Sequence, residues 1–198
     1  MSAPPAKPAV TRYPVHPFLR DRWSPRAFAD HSVDRETLGS LLEAARWSAS
    51  RNNEQPWRFI VARKEDEAAF QRILGCLVPS NQVWAQRAPV LMISLARTTF
   101  ERDGKPNRHA LHDVGLATAQ LTLQAMALGL RAHPMAGIEV DRIRSEYALP
   151  DDVEPVAGIA IGWPGDPDSL PDKLRERELA SRERKGLDEI VLGGWGEV

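Results

Sequence analysis

Stretches with helical spacing of apolar residues alternate with short apolar runs along this 198-residue chain. After Asp34, leucine and alanine recur at i, i+3, i+4 and i+7, which predicts a helix capped by Asp34 with one buried face. The short runs are rich in β-branched or aromatic residues, which is typical of strands. Strands are predicted at residues 57–62, 88–96 and 156–163, and further helices at residues 65–77, 107–130 and 141–147. These elements predict an α+β protein with three or more strands covered by helices.

The helix predicted at residues 107–130 differs from the others because most of its circumference is apolar or small. Leu111, Val114 and Leu121 lie along it, and Gly129 supplies a stop signal. A helix that is apolar on most sides is buried, either in a large core or at a subunit interface. The sequence therefore predicts that this helix is not an ordinary surface element.

The composition is that of one globular domain, with 42% hydrophobic and 27% charged residues. We expect a single domain over residues 15–198, preceded by a proline-rich, disordered tail over residues 1–14. A net charge of -1 argues against a nucleic-acid partner or an anionic membrane surface. No apolar run approaches the ~20 residues that span a bilayer. The single cysteine, Cys76, fits a reducing compartment, so we expect a cytoplasmic protein.

Basic residues are concentrated in short clusters. Arg22, Ser24 and Arg26 alternate, so their side chains would project to one side of an extended backbone. Arg182 and Arg184 have the same spacing. Two or more cations with a hydroxyl group suit a phosphate monoester, because one exposed ion pair contributes little. Taken singly, each cluster is also typical of a solvated surface. The sequence contains no GxGxxG motif and no Walker-type loop, which argues against a Rossmann nucleotide site or an NTPase.

A polar loop, Ser50-Arg-Asn-Asn-Glu-Gln55, joins the first predicted helix to the first predicted strand. Such a junction is where a rigid scaffold usually presents ligand-binding groups. Its hydroxyl, amide and guanidinium groups suit a ligand with a phosphate and a heteroaromatic ring. A solvated loop is the alternative interpretation of the same residues.

A metal site is the other chemistry that the sequence raises. His109, His112 and Asp113 are spaced so that they could face one side of a helix as ligands. No further acidic or cysteine cluster supports them, so we expect no metal and a polar role at an interface or substrate pocket. Trp47 lies in a core-like pattern, and Trp84 is a candidate for a pocket or interface position.

The order of these segments is similar to that of the FMN-dependent nitroreductase family. The resemblance begins with Arg-x-Ser-x-Arg-x-Phe at residues 22–28 and continues with Ser-x-x-Asn-x-Gln-Pro-Trp-x-Phe at residues 50–59. Ala-Pro-Val at residues 88–90, Ala-Leu-Gly-Leu at residues 127–130 and Pro-Met-Ala-Gly at residues 134–137 follow, before a basic C-terminal segment. The resemblance runs from about residue 15 to the C-terminus, and the order of the elements carries it rather than any single one.

The resemblance implies an FMN site and a role for each matching position. Arg22, Trp23 and Ser24 match positions that hold the phosphate and ribityl chain, and Arg26 matches a cation near N1 and O2 of the isoalloxazine ring. The remaining matches are Ser50, Arg51, Asn53 and Gln55 in a loop that reaches FMN across a dimer interface; Asn81 at the pyrimidine edge; Pro134, Met135, Ala136 and Gly137 in a loop under the flavin whose N–H groups face N5; and Arg182 and Arg184 at the phosphate.

The resemblance further implies an intertwined homodimer with a central, mainly antiparallel sheet flanked by helices. NADH or NADPH would reduce the flavin at N5, and the reduced flavin would then reduce a nitroaromatic, a quinone or a similar small-molecule oxidant. Two alternatives stay open: a specialised flavin oxidase or reductase that acts on a metabolite, and a flavin-binding protein without turnover. Ala136 stands where many members have an acidic residue, so the substrate class is open as well.

Overall fold

A computed structural model describes residues 4–193, which form an antiparallel sheet with helices on both faces. The strands are β1 (Trp57–Arg63), β2 (Val90–Arg97), β3 (Arg131–Met135) and β4 (Val153–Gly162). The helices are α1 (Pro17–Asp21), α2 (Arg35–Arg46), α3 (Glu67–Gly75), α4 (Pro79–Ala85), α5 (Ala110–Ala127), α6 (Val140–Tyr147), α7 (Asp172–Leu179) and α8 (Leu187–Ile190), with 3-10 turns at Arg51–Asn53 and Pro167–Ser169. The strand order is β1-β2-β4-β3 and every neighbouring pair is antiparallel, which confirms the predicted α+β architecture.

The two central strands are apolar on both faces. Every residue of β2 except the last is buried. Val90 and Met92 face one apolar cluster, whereas Leu91 and Ile93 face the other. Each fully buried side chain of this size contributes roughly 1.5–3 kcal/mol. Burial on both faces explains why the sequence shows a continuous apolar run here instead of alternation.

One helical layer consists of α2 and α5. Asp34 caps α2 as predicted, because its carboxylate accepts a hydrogen bond from the Thr37 N–H. Leu41 of α2 shares an apolar cluster with Val114 and Leu121 of α5. The opposite layer is built from α3, α4 and α6 against the other face of the sheet.

The outer face of α5 is unusual for a surface. Leu111 is 48% exposed and Leu116 is 39% exposed. The only charged residue of the helix, Asp113, is buried. The exposed face of α5 therefore presents apolar and uncharged polar groups to its surroundings.

Two predicted helices differ from the observed ones. The helix predicted at residues 65–77 ends at Gly75, and α4 then begins at Pro79, which the sequence analysis missed. Val78 continues the apolar pattern across the junction, so no polar break marks it, while Pro79 occupies the first helical turn, where proline is tolerated. The helix predicted at residues 107–130 spans Ala110–Ala127, and Gly129 adopts a left-handed φ of 80° after its end.

Residues from the predicted N-terminal tail contact the domain. The Ala9 N–H donates to the Arg20 carbonyl at 2.8 Å, and the Lys7 ammonium donates to the Glu178 carbonyl at 2.8 Å. Lys7 also lies 4.7 Å from the centre of the Trp23 ring. Within residues 4–193, no helix has both the length and the apolar character needed to cross a membrane.

Candidate functional site

The Arg22–Arg26 segment follows α1, and Arg22 has extended φ and ψ angles of -69° and 125°. Arg22, Ser24 and Arg26 are partly exposed, whereas Trp23 and Pro25 are buried. The Arg22 Nη1 donates to the Ser24 hydroxyl oxygen at 3.2 Å. The segment therefore presents two guanidinium groups and a hydroxyl group on one side, and Trp23 contributes its side chain to packing.

A buried carboxylate of α7 fixes the end of this segment. Both Glu178 carboxylate oxygens lie 3.0 Å from the Arg26 nitrogen, and one lies 3.0 Å from the Ala27 nitrogen. Burial raises the pKa of Glu178, and these N–H groups partly oppose that change because they favour the carboxylate. Phe28 then pairs with Pro164 after β4, so the segment is attached to the sheet as well. The Arg26 guanidinium remains outside these hydrogen bonds.

The C-terminal arginines converge on the same place. The Arg182 Nη1 donates to the carbonyl oxygens of Lys7 and Arg20, at 2.7 and 2.8 Å. The Arg184 Nη1 donates to the Glu183 carbonyl at 2.6 Å. These acceptors are neutral carbonyl oxygens, so the hydrogen bonds neutralise neither guanidinium, and among the described residues only Asp21 offsets part of the Arg182 charge.

The electrostatics show that the first and third basic clusters meet. Burial lowers the pKa of Arg22, and the positive charges of Arg182 and Arg184 lower it further. Burial and Arg184 likewise lower the pKa of Arg182. Within residues 4–193, Arg22, Arg26, Arg182 and Arg184 take part in no salt bridge. We call Arg22, Arg182 and Arg184 the arginine cluster.

Half of the predicted loop at residues 134–137 belongs to a strand, which corrects the prediction from sequence. Pro134 and Met135 are the last residues of β3 and pair with Ile159 and Gly158 of β4. The resemblance placed these residues in a loop, but Pro134 fits β3 because β3 is an edge strand, where the missing N–H of proline is tolerated. The turn itself consists of Ala136 and Gly137.

Asn81 of α4 holds this turn. The Gly137 carbonyl accepts hydrogen bonds from the Val78 N–H and the Asn81 side-chain amide, both at 3.1 Å. A Cβ atom at position 137 would lie 2.5 Å from the Asn81 amide nitrogen, so a larger residue would displace the Asn81 side chain that holds the turn. The N–H groups of Ala136 and Gly137 donate to no other group in the described part of the chain.

The Ser50–Gln55 loop is organised by its own hydrogen bonds. The Gln55 N–H donates to the Ser50 hydroxyl oxygen at 3.0 Å, and the Gln55 amide donates to the Asn53 carbonyl at 3.1 Å. Asn52, Asn53 and Gln55 have left-handed φ values of 55°, 58° and 52°. Such backbone is uncommon outside glycine, although asparagine tolerates it best.

Asp113 of α5 anchors this loop. Its carboxylate accepts a hydrogen bond from the Arg51 N–H at 2.9 Å, and its other oxygen lies 3.0 Å from the His112 Nδ1. The Arg51 guanidinium lies 5.4 Å from the centre of the Phe100 ring. Within residues 4–193, no three histidine, cysteine or acidic side chains come together as metal ligands. The Asp113 carboxylate therefore binds the Arg51 N–H, a structural role that the metal hypothesis did not include.

The predicted site residues thus form three groups. The first and third basic clusters meet at the arginine cluster, and Asn81 meets Gly137 at the end of β3. Among the described residues of one chain, the Ser50–Gln55 loop makes no hydrogen bond or salt bridge with the Arg22–Arg26 segment.

Sequence reasoning missed Glu178 and His133. Glu178 lies in the highly charged helix α7, where nothing in the pattern distinguishes it from its exposed neighbours. His133 lies in β3 with its Nδ1 2.8 Å from the Pro25 carbonyl oxygen, which ties the edge strand to the Arg22–Arg26 segment. In the sequence, only Pro134 indicates that His133 lies in an edge strand.

Several known proteins are similar to this chain. The sequence model of the nitroreductase family matches residues 19–163. A solved structure described as an oxidoreductase containing FMN is 39% identical, with a TM-score of 0.88 over 93% of this chain and 94% of that chain. An uncharacterized 15.4 kDa protein of Mycolicibacterium smegmatis is 35% identical over 147 residues, which cover 70% of this chain and 97% of that protein.

A third relative carries a named activity. A putative NADH dehydrogenase/NAD(P)H nitroreductase of Streptomyces coelicolor is 29% identical over 175 residues, which cover 77% of this chain and 86% of that protein. The family match includes the Arg22–Arg26 segment, the Ser50–Gln55 loop and the turn after β3, and it ends before the C-terminal arginines. On this evidence the chain belongs to the nitroreductase family.

Proposed function

We propose that the protein is an FMN-dependent oxidoreductase that takes electrons from NADH or NADPH and passes them to a small-molecule oxidant such as a nitroaromatic or a quinone. Family membership supports an oxidoreductase, and the similar FMN-containing structure supports the cofactor. The name of the Streptomyces relative supports the nicotinamide donor. The observation that carries the proposal is the arginine cluster, whose three cations have no ion-pair partner within residues 4–193.

A phosphate monoester fits the arginine cluster. Arg22 is subject to repulsion from Arg182 and Arg184, and the hydrogen bonds of all three guanidinium groups go to neutral oxygens. A phosphate dianion would relieve this repulsion, and its oxygens would accept charge-assisted hydrogen bonds from Arg22, Arg182 and Arg184. The Ser24 hydroxyl group adds a further donor beside Arg22.

The flavin ring would extend from the phosphate toward the end of β3. When bound, FMN supplies hydride and electron transfer at N5. The N–H groups of Ala136 and Gly137 are available to donate toward that atom, and Asn81 keeps the turn in place. Arg26 would stabilise negative charge at N1 and O2 of the reduced ring. The hydrogen bonds that the Arg26 backbone N–H donates to the Glu178 carboxylate position Arg26 without occupying its guanidinium.

We further propose that a second copy of the chain completes the site. The outer face of α5 lacks charge and exposes Leu111 and Leu116, which suits burial against a partner helix. The Ser50–Gln55 loop begins beside this helix through Asp113. In a homodimer, the loop would reach the FMN held by the partner, with Ser50, Asn53 and Arg51 as its polar groups.

The test begins with the purified protein and its flavin absorbance. Anaerobic addition of NADH or NADPH should bleach the flavin bands, and a quinone or nitroaromatic should then restore them. In size-exclusion chromatography with light scattering, the mass should be twice the 22.1 kDa of one chain. Oxidised flavin that persists under an excess of both nucleotides would contradict the reductase and leave a passive flavin-binding protein.

A further inference from the structure

His133 is a buried side chain whose proton position the geometry determines. It is 9% exposed, and its Nδ1 lies 2.8 Å from the Pro25 carbonyl oxygen. A carbonyl oxygen can only accept a hydrogen bond, so Nδ1 must carry the hydrogen. In the neutral ring, Nε2 is then an acceptor.

The surroundings keep this ring neutral. Its centroid lies 4.5 Å from that of the Trp84 ring, and the Arg26 guanidinium lies 6.0 Å from the same indole. Burial lowers the pKa of His133 to about 4, although the bond to Pro25 opposes this change and the charges of Arg26 and Arg22 reinforce it. Near pH 7, Nε2 therefore keeps a free lone pair, and no donor for it exists in residues 4–193.

We infer that the Nε2 of His133 accepts a hydrogen bond from a ribityl hydroxyl group of bound FMN. This inference rests on the proposed function. Arg22 belongs to the arginine cluster at the phosphate, Arg26 is assigned to the ring, and His133 contacts the carbonyl of Pro25, which lies between these two arginines in the segment. The part of FMN between phosphate and ring is the ribityl chain, whose hydroxyl groups need an acceptor for their hydrogens. The two arginines cannot accept, because a guanidinium has donors only. His133 supplies a buried acceptor beside them, in addition to the Ser24 hydroxyl oxygen.

Nitrogen NMR of the wild-type protein tests the inference without any risk of misfolding. Histidine labelled with ¹⁵N is observed near pH 7 while FMN is titrated into apoprotein, and the His133→Gln spectrum identifies the His133 signals among the five histidines. We expect the Nε2 signal of an unprotonated nitrogen to move upfield when FMN binds, and to stay in place when inorganic phosphate is added. FMN that binds without moving the signal would overturn the inference alone. No binding of FMN would overturn the proposed function as well.

A comparison of two ligands separates the hydrogen bond from structural damage. One ligand is FMN and the other is a flavin phosphate whose chain lacks hydroxyl groups. His133→Phe should weaken FMN binding about fivefold to tenfold, the usual effect of one neutral hydrogen bond, and should leave binding of the hydroxyl-free ligand nearly unchanged. Equal losses for both ligands would assign His133 a purely structural role and contradict the inference.

Discussion

Two polar segments of this protein are each held by one buried carboxylate from a distant helix. Glu178 of α7 accepts hydrogen bonds from the backbone N–H groups of Arg26 and Ala27, and Asp113 of α5 accepts one from that of Arg51. The two acids are 1% and 3% exposed. In both places the anchor binds backbone, so the guanidinium groups of the segment remain available for other partners.

The two segments differ in where their unfavourable energy lies. No residue of the Arg22–Arg26 segment has a left-handed φ, but its arginines face further cations. The Ser50–Gln55 loop has few such charges, but three of its residues have left-handed φ values, at roughly 1 kcal/mol each. A bound anion relieves charge repulsion, whereas only the protein itself can hold a strained backbone. Under the proposed function, the ligand's phosphate would therefore bind at the first segment, whereas the second segment would depend on its anchor.

Removing the first anchor should have the largest effect. Glu178→Ala leaves two buried N–H groups without an acceptor, so we expect the free energy of unfolding to fall by about 3 kcal/mol. Urea unfolding measures this, and FMN retention should fall too because Arg26 loses its position. Glu176→Ala, an exposed residue on the same helix, is the matched control. Equal stability of the two variants would show that Glu178 does not anchor this segment.

Acid should loosen the first segment through His133. The folded-state pKa of about 4 lies below the ordinary 6.5, so the unfolded chain binds more protons between these values. The stability that His133 contributes is complete above pH 6.5 and is lost as the pH falls to about 4, by about 3 kcal/mol. Wild-type protein should lose this much more unfolding free energy than His133→Gln over that window. His31→Gln, which changes an exposed histidine, should behave as wild type.

Removing the second anchor should have a smaller and more local effect. Asp113→Ala frees one N–H at the surface, so we expect a loss of about 1–2 kcal/mol. Hydrogen exchange should become faster at residues 51–55, where the left-handed backbone loses its support. The control, His112→Ala, keeps the Arg51 bond and should show neither change. Exchange that stays slow in Asp113→Ala would show that the internal bonds of the loop are sufficient.

The sequence predicts the elements of this fold wherever one periodicity dominates. The cap and buried face of α2, the apolar run of β2 and the stop at Gly129 all follow from local pattern. Local pattern fails where tertiary contacts decide. Trp47 follows a helix with apolar spacing yet is 72% exposed, and Trp84, expected at a pocket or interface, is buried between Phe28 and His133.

The candidate site shows the same division. Alternation places Arg22, Ser24 and Arg26 on one side, and the structure has them there. The two anchoring carboxylates could not be predicted in this way because their partners are remote in sequence. Glu178 is 152 residues from Arg26, and Asp113 is 62 residues from Arg51. The sequence around a single acidic residue in a charged or apolar helix does not indicate such a partner. Sequence can therefore indicate which side chains meet a ligand more readily than which ones hold them there.

The proposed function requires the arginine cluster to bind the phosphate of FMN, and the affinity for FMN relative to that for riboflavin measures this binding. Riboflavin lacks only the phosphate. With two or more charge-assisted hydrogen bonds, wild-type protein should bind FMN at least about 100-fold more tightly than riboflavin. Arg22→Ala combined with Arg184→Ala should abolish most of this preference and leave riboflavin affinity unchanged. Arg20→Ala, whose side chain pairs with Asp21, should keep the preference. A double variant with the wild-type ratio would contradict the account.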